Sequence, residues 1–309
     1  MHSENPSTSI RFIADPPDGR LAAAAFRLDG PTRFLDSRIN AYRSDIADVA
    51  LAGSLFAPHY AAPLFRSAAE SVMMRAAPEP EAEAVSQLLT GEGFAVLDVA
   101  GGWAWGYSRH DHYVGYVPDR CLTDMLTATH RIAVREALLF ARPSIKSPAM
   151  ATLPFGALVA GTMGDTFLQT PAGFIHRRHV CALDDRCDDA ASVAELLLGS
   201  PYLWGGRGAG GIDCSGLVQI ALAATGIDAP RDTDLQRTAI GRPIADEEDL
   251  RRGDVVFFPG HVGLMVDDSS LIHANAHWMS VVAEPLADVV ARLIPHHDRP
   301  ITSRRRLPR

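Results

Sequence analysis

Hydrophobic and polar positions change rhythm along the chain, and each change marks a new region. Up to about residue 55 no period holds. DPPDG at 15–19 and DGPT at 29–32 have the Asp, Pro and Gly content of turns. Residues 36–52 (DSRINAYRSDIADVALA) predict one short helix. SLFAPHYAAP at 54–63 predicts an extended segment lying over another surface. From about 64 to 128, short apolar or aromatic runs (SVMMRA, EGFAVLDVA, WAWGYSR, YVGYVP) alternate with Gly, Asp and Pro. That pattern predicts a small antiparallel barrel or sandwich. Residues 129 to about 184 repeat the style with HRIAVREALLF, GALVAGTMG, TFLQTP and GFIHRRHV. Both regions close alike, with an aromatic strand, a turn, Gly-aromatic-aliphatic and then a cysteine. A module of roughly 60 residues used twice explains the likeness; ordinary all-β turn chemistry is the competing explanation.

At residue 188 the pattern lengthens. DDAASVAELLLGSPYLWGG opens with aspartates suited to a helix N-cap and continues with Val193, Leu196, Leu197 and Leu198. Residues 215–225 (SGLVQIALAAT) predict a second helix stopped by Gly226, with Leu217, Val218, Ile220, Ala221 and Ala224 as its buried stripe. GDVVFF at 253–258 and HVGLMV at 261–266 read as strands, followed by the short LIHA. PLADVVARLI reads as a strand or a short helix, and SRRRLPR as a frayed basic end. The segmentation is therefore a leader at 1–55, β modules at 56–128 and 129–187, and an α+β domain at 188–300.

Composition narrows the function classes. With 47% hydrophobic and 21% charged residues the chain has enough apolar content for real cores. A net charge of −8 argues against nucleic acid as a partner. No apolar run approaches the roughly 20 residues that span a bilayer. The polar start MHSENPSTSIRF and the brief run Leu21 to Phe26 make no convincing export signal, so a cytoplasmic location is expected. Four cysteines are too few for a disulfide scaffold. Cys181 and Cys187 are close enough to pair, while a reducing compartment favours free thiols.

Cys214 is the candidate nucleophile. In GGIDCSGLVQI it stands where a glycine-rich loop ends and an apolar helix begins. The positive end of the helix dipole is expected there to lower its pKa and favour thiolate. A thiol nucleophile needs a histidine as base and then acid. His261, opening one strand, and His273, in the next, would reach the same helix end if the strands pair antiparallel. Spacing leaves the order of the two open; with His261 as the base, His273 is the group that orients it. His2, His110, His112, His296 and His297 are read as ordinary surface residues.

Two patterns point elsewhere and are weaker. Gly206, Gly208 and Gly211 spell a dinucleotide fingerprint with Asp232 about 20 residues on, but no adequate strand precedes them and they do not open the helix. Neither the Cys181/Cys187 spacing nor His273 with His277 makes a normal zinc set. No cofactor and no metal are expected. Trp103, Trp105, Tyr107, Tyr113 and Tyr116 are equally readable as a binding face or as barrel packing.

Taken together, SPYLWGGRGAGGIDCSGLV at 200–218, RGDVVFFPGHVGLMV and LIHA resemble the NlpC/P60 family of cell-wall peptidases. The resemblance covers about residues 190–290. It implies a papain-like α+β core with Cys214 as nucleophile, His261 as base, His273 as orienting residue and Tyr202 beside the oxyanion. The two β modules resemble bacterial SH3-like domains, so the expected fold is two small all-β SH3-like barrels followed by a papain-like domain. Relatives of this layout resemble murein-recycling enzymes, which cut γ-D-glutamyl-diaminopimelate bonds in stem peptides with a free N-terminal L-alanine. Carried over to this chain, the substrate contacts are Asp213, Ser215, Asp232, Thr233, Glu83 and Tyr113, with Tyr107 and Tyr116 competing for the last role. The implied partners are short peptidoglycan-derived peptides. Amidase or acyl-transfer chemistry with the same three residues, or peptide binding without catalysis, are the alternatives.

Overall fold

The computed structural model describes residues 35–308 except residue 209. The two predicted turns, the Leu21–Phe26 run and His2 lie outside the described residues. Residues 36–52 do not form the predicted α-helix. They turn through Asp36–Asn40, run as a strand at Ile46–Asp48 and finish in a single 3-10 turn at Val49–Leu51. Asp48 accepts from the Ala50 N–H and so stops the strand and starts that turn. Ile46–Asp48 pairs in parallel with His59–Ala61, which gives the predicted extended segment its partner.

The runs at 64–124 form a seven-stranded antiparallel sheet in the order Ala84–Leu88, Val72–Arg75, Val114–Pro118, Trp103–Ser108, Gly93–Ala100, Leu64–Ala68 and Leu122–Asp124. Met74, Leu88, Phe94, Ala104 and Val117 fill its interior with no exposed surface. Trp105 packs with Ala41 and Leu97, and the Arg43 guanidinium lies 4.5 Å from its ring centroid. The aromatic ladder is thus largely packing, covered by the leader; Tyr113 alone of the five lines the cavity described below.

Residues 130–182 build a second small β unit from a five-stranded and a three-stranded sheet around Ile132, Leu139, Leu168 and Ile175. Both units end strand, 3-10 turn, strand: Val114–Pro118, Asp119–Cys121 and Leu122–Asp124 in one, Gly173–His176, Arg177–His179 and Val180–Ala182 in the other. The four cysteines are free thiols.

The described residues hold four α-helices: α1 Ala190–Leu196, α2 Cys214–Ala224, α3 Thr233–Ala239 and α4 Leu286–Leu293. Asp189 caps α1 by accepting from the Ala191 and Ser192 N–H groups. Val193 and the C-cap residue Leu197 pack into the core, while Leu196 and Leu198 are exposed. PLADVVARLI is helical, as α4. In α2 every residue except Ala223 is buried, so the expected stripe widens to almost the whole circumference. Burying Leu217, Val218, Ile220 and Leu222 contributes about 1.5–3 kcal/mol each. Their partners are α1 and a six-stranded antiparallel sheet ordered Arg242–Pro243, Ser303–Arg306, Val255–Phe258, His261–Met265, Ser270–Asn275 and Ser280–Pro285.

The basic tail is therefore not frayed. Ser303–Arg306 is an interior strand, and Arg306 binds both oxygens of the buried Asp254 as well as Glu248. Fixed acidic partners order a segment that its own charge would leave in water. No helix among the described residues is long and apolar enough to cross a membrane.

Candidate active site

The site grows from the N-terminus of α2. Asp213 caps the helix, accepting from the Gly216 N–H at 2.7 Å, and also accepts from the Gly205 N–H at 2.8 Å. The turn before it is a tight hairpin, Arg207–Gly208 against Gly211–Ile212. A Cβ on Gly206 would stand 2.3 Å from the Gly211 carbonyl oxygen, and one on Gly216 would stand 2.4 Å from that of Gly206. The glycines thus let loop and helix start touch, which is why they imitate a nucleotide fingerprint without being one.

Arg231, fully buried, holds this corner. It binds Asp213 at 2.9 and 2.5 Å, donates to Ser215 Oγ at 2.9 Å and reaches Ser86 of the first β unit at 3.2 Å. A buried pair of this kind is costly to break, because the surviving charge loses its counterion in a dry place. Asp213 and Ser215, expected as substrate contacts, line the cavity but are already bonded to Arg231.

Cys214 is the first residue of α2 and is 7% exposed. Its Sγ lies 3.9 Å from Thr233 Oγ1, and the Val262 N–H also donates to the sulfur. Burial, with Asp213 adding its negative charge, pushes the thiol up to about 11. A rise of that size opposes ionisation by roughly 3 kcal/mol. One helix end supplies only about 0.3–1 kcal/mol at the surface. The expected resting thiolate is therefore corrected to a thiol: burial outweighs the dipole. Burial also lowers His261, to about 3, with His273 adding to the effect, so the base rests neutral. Burial thus disfavours the charged form of both groups.

The two histidines come from neighbouring strands, as the spacing predicted. Leu264 pairs with Ile272, and His261 Nε2 stands 2.8 Å from His273 Nδ1. His273 is fully buried, and its Nε2 lies 2.8 Å from Glu284 Oε1. Arg292 of α4 binds the same carboxylate, and Trp278 Nε1 donates to it at 3.3 Å. Nothing in the sequence marked Glu284 or Arg292, since their link to His273 exists only once the last strands pair.

Tyr202 is held by its backbone: its N–H donates to the Met279 carbonyl, and it bridges to Ile212. Burial, Cys214 and Asp213 together push its hydroxyl up to about 12, so it remains a donor. It borders a cavity of about 420 Å³ that also takes in Cys214, Asp232, Thr233, Tyr113 and Glu83. At that cavity Asp232 Oδ2 accepts from Tyr113 Oη at 2.9 Å and from Arg38 Nη1 at 2.8 Å. Oδ1 of Asp232 accepts no hydrogen bond among the described residues, and neither does the exposed side chain of Glu83. Burial raises Asp232 above the ordinary aspartate value, against Tyr113 and Arg38, which pull it down.

Arg38 was missed by sequence reasoning. From the leader it also binds Asp36 and Asp234, both at 2.8 Å, fastening the leader to the start of α3. A second overlooked cluster joins the first β unit to α2: Arg207 binds Glu92 at 2.7 Å and Gln219 at 2.6 Å, and Gln219 donates to Asp111. His110, expected at the free surface, lies 3.1 Å from Asp111 instead. Tyr107 and Tyr116 pack under the leader, leaving Tyr113 as the tyrosine of the cavity.

Residues 199–291 match the NlpC/P60 family, and residues 74–122 match the bacterial dipeptidyl-peptidase SH3 domain. Dipeptidyl-peptidase 6 of Lysinibacillus sphaericus is 28% identical over 229 residues, covering 65% of this chain and 83% of that protein. Gamma-D-glutamyl-L-lysine dipeptidyl-peptidase of Bacillus cereus is 25% identical over 65% of this chain and 70% of its own length. Among solved structures, an NlpC/P60 family protein from Bacillus cereus superposes with a TM-score of 0.67 at 20% identity, over 79% of this chain and all of that one.

Proposed function

The chain is an NlpC/P60 cysteine peptidase of the cell-wall type carrying a bacterial SH3 domain, and from that premise we propose that it hydrolyses the γ-D-glutamyl–diamino acid bond of stem peptides whose N-terminal L-alanine is free. The observation that carries the proposal is the open Oδ1 of Asp232, at the same cavity as Cys214 and Tyr202. An ammonium withdrawn from water needs a charged acceptor. Asp232 offers one with Tyr113 and Arg38 fixing its other oxygen, and Glu83 adds a second carboxylate. One similar protein is named a gamma-D-glutamyl-L-lysine dipeptidyl-peptidase, a name that carries the same type of γ-D-glutamyl–diamino acid linkage.

In this reading the ammonium docks on Asp232 and the γ-carbonyl of D-glutamate lies over Cys214. His261 takes the thiol proton as sulfur attacks the carbonyl carbon. The Cys214 N–H and the Tyr202 hydroxyl face the developing oxyanion. Collapse of the tetrahedral species breaks the C–N bond, and His261 gives its proton to the leaving α-amine of the diamino acid. A water, deprotonated by His261, then attacks the thioester, freeing the Cys214 thiol and releasing the L-Ala-D-Glu dipeptide with its γ-carboxylate free.

The test is mass spectrometry of products from L-Ala-γ-D-Glu-meso-diaminopimelate and its N-acetylated form, with Cys214→Ala as control. Release of diaminopimelate from the free-amine peptide alone, absent in the variant, is the expected result. Cleavage of both forms removes the amine-docking reading while keeping the peptidase. Scission of a muramoyl-tripeptide between the muramic acid and L-alanine, with neither of those peptides cut, would favour an amidase.

A further inference from the structure

His273 and Glu284 belong to adjacent strands in the register His273 opposite Val282 and Leu271 opposite Glu284. His273 and Glu284 are therefore diagonal neighbours on one face, close enough for side chains to meet. Arg292 and His273 outweigh the burial of Glu284 and hold its carboxyl ionised, below the ordinary range. An ionised carboxylate only accepts hydrogen bonds. At 2.8 Å from Glu284 Oε1, His273 Nε2 must then be the nitrogen that carries hydrogen.

A competitor of opposite polarity stands beside it. Asn275 Nδ2 lies 3.2 Å from the same His273 nitrogen, and its amide is oriented by Oδ1, which accepts from the His277 N–H at 2.6 Å. Asn275 therefore offers a hydrogen where Glu284 offers a lone pair. The charged, shorter contact prevails. With Nε2–H fixed, His273 Nδ1 is a bare acceptor, and it takes the hydrogen of His261 Nε2 across 2.8 Å. A neutral imidazole has one hydrogen, so His261 Nδ1 is left as a lone pair for the Cys214 proton.

We infer that Glu284 is a positioning residue of the catalytic centre, setting the tautomers of His273 and His261 so that His261 can act as the base. Without it, Asn275 donates to His273 Nε2, the hydrogen of His273 moves to Nδ1, and His261 Nε2 must accept. His261 then carries its hydrogen on Nδ1 and cannot take one from the thiol. Arg292, itself near Asp288, completes the array by neutralising part of the Glu284 charge.

Two measurements test this. Nitrogen-15 NMR of the imidazoles in the intact chain reads the tautomers directly: hydrogen on Nε2 of both His261 and His273 is expected, and hydrogen on Nδ1 of either would overturn the assignment. Kinetics supply the second. Glu284→Ala is expected to lower kcat by about 10²- to 10⁴-fold with little change in KM, as for other triads left in the wrong tautomer. Asn275→Asp in that background returns an acceptor to His273 and restores at least tenfold.

The acid limb of kcat/KM adds a sign. Around the two rings stand Phe258, Asn275 and Glu284, with Arg292 behind Glu284, and of the two charged groups Glu284 raises and Arg292 lowers their basicity. Glu284→Gln therefore moves the limb to lower pH and Arg292→Ala to higher pH. Equal losses in both variants without opposite shifts, or an unchanged kcat in folded Glu284→Ala, would contradict the role.

Discussion

In the first β unit a hairpin ends in a 3-10 turn with Cys121 as its last residue; in the second, a hairpin ends in the same way with Cys181 in the strand that follows. The two units differ in what leaves their edges. The first sends Ser86, Glu92, Asp111 and Tyr113 into bonds with Arg231, Arg207, Gln219 and Asp232 of the catalytic domain. The second meets that domain through Phe155, which joins the main core, and through the Arg135 bond to the Leu198 carbonyl. None of its residues lines the cavity with Cys214. Similar runs of strands thus do different work, and the difference lies in a few polar side chains rather than in the sheets.

That contrast can be broken or sharpened by substitution. Cys214→Ala and His261→Ala are expected to remove at least about 10⁴ of the turnover while leaving the fold intact, checked by single-turnover assays and circular dichroism. Arg207→Ala strips Glu92 of its counterion inside the interface and is expected to cost about 3–5 kcal/mol of stability, read by urea melts, and to raise KM by loosening the wall that carries Tyr113. Glu92 is held below its ordinary value despite burial, chiefly by Arg207 and His110. A depressed carboxylate contributes stability above its unfolded pKa of about 4.3, and that contribution is lost as pH falls through the lower, folded value. The wild-type chain should therefore lose stability below about pH 4.3 more steeply than Arg207→Ala.

Asp232→Asn is expected to cost about 2–3 kcal/mol in kcat/KM, or roughly 10²-fold, on the free-amine peptide and almost nothing on the acetylated one. Since Asp232 titrates above an ordinary aspartate, KM of the wild type should rise as pH falls through that raised value, and the limb should vanish in the variant. Arg38→Ala is a smaller change of the same kind: about tenfold in KM, with the limb moved to higher pH because Arg38 favours the ionised carboxylate. In the second β unit, Ile175→Ala is expected to cost about 2–5 kcal/mol of stability yet leave KM within about twofold. A large KM change there would erase the distinction between the units.

How much of this was legible in the sequence depended on distance along the chain. Cys214, its helix, and the two histidines announce themselves because loop, helix and strand signals are local. Tyr113, Asp232 and Thr233 came from family resemblance, and the structure brings them to one cavity with Cys214. Arg231, Arg207, Arg38 and Glu284 carried no signal, because an arginine or glutamate reads as solvent-exposed until its partner is placed. Arg38 and Asp232 are 194 positions apart, and Arg207 and Glu92 are 115 apart. The same blindness produced the two largest misreadings. The tail looked frayed because Asp254 and Glu248 are distant in sequence. The thiol looked ionised because the helix end is local while the burial that opposes it is not.

The central claim is that the groove selects a free amine at Asp232 before Cys214 acts. Its most direct test is the ratio of kcat/KM for L-Ala-γ-D-Glu-diaminopimelate to that for its N-acetyl form, measured on the wild-type chain and on Asp232→Asn. A ratio of about 10² or more, collapsing toward one in the variant, is the result this account predicts. A wild-type ratio near one, with both peptides cut at the same bond, would contradict it.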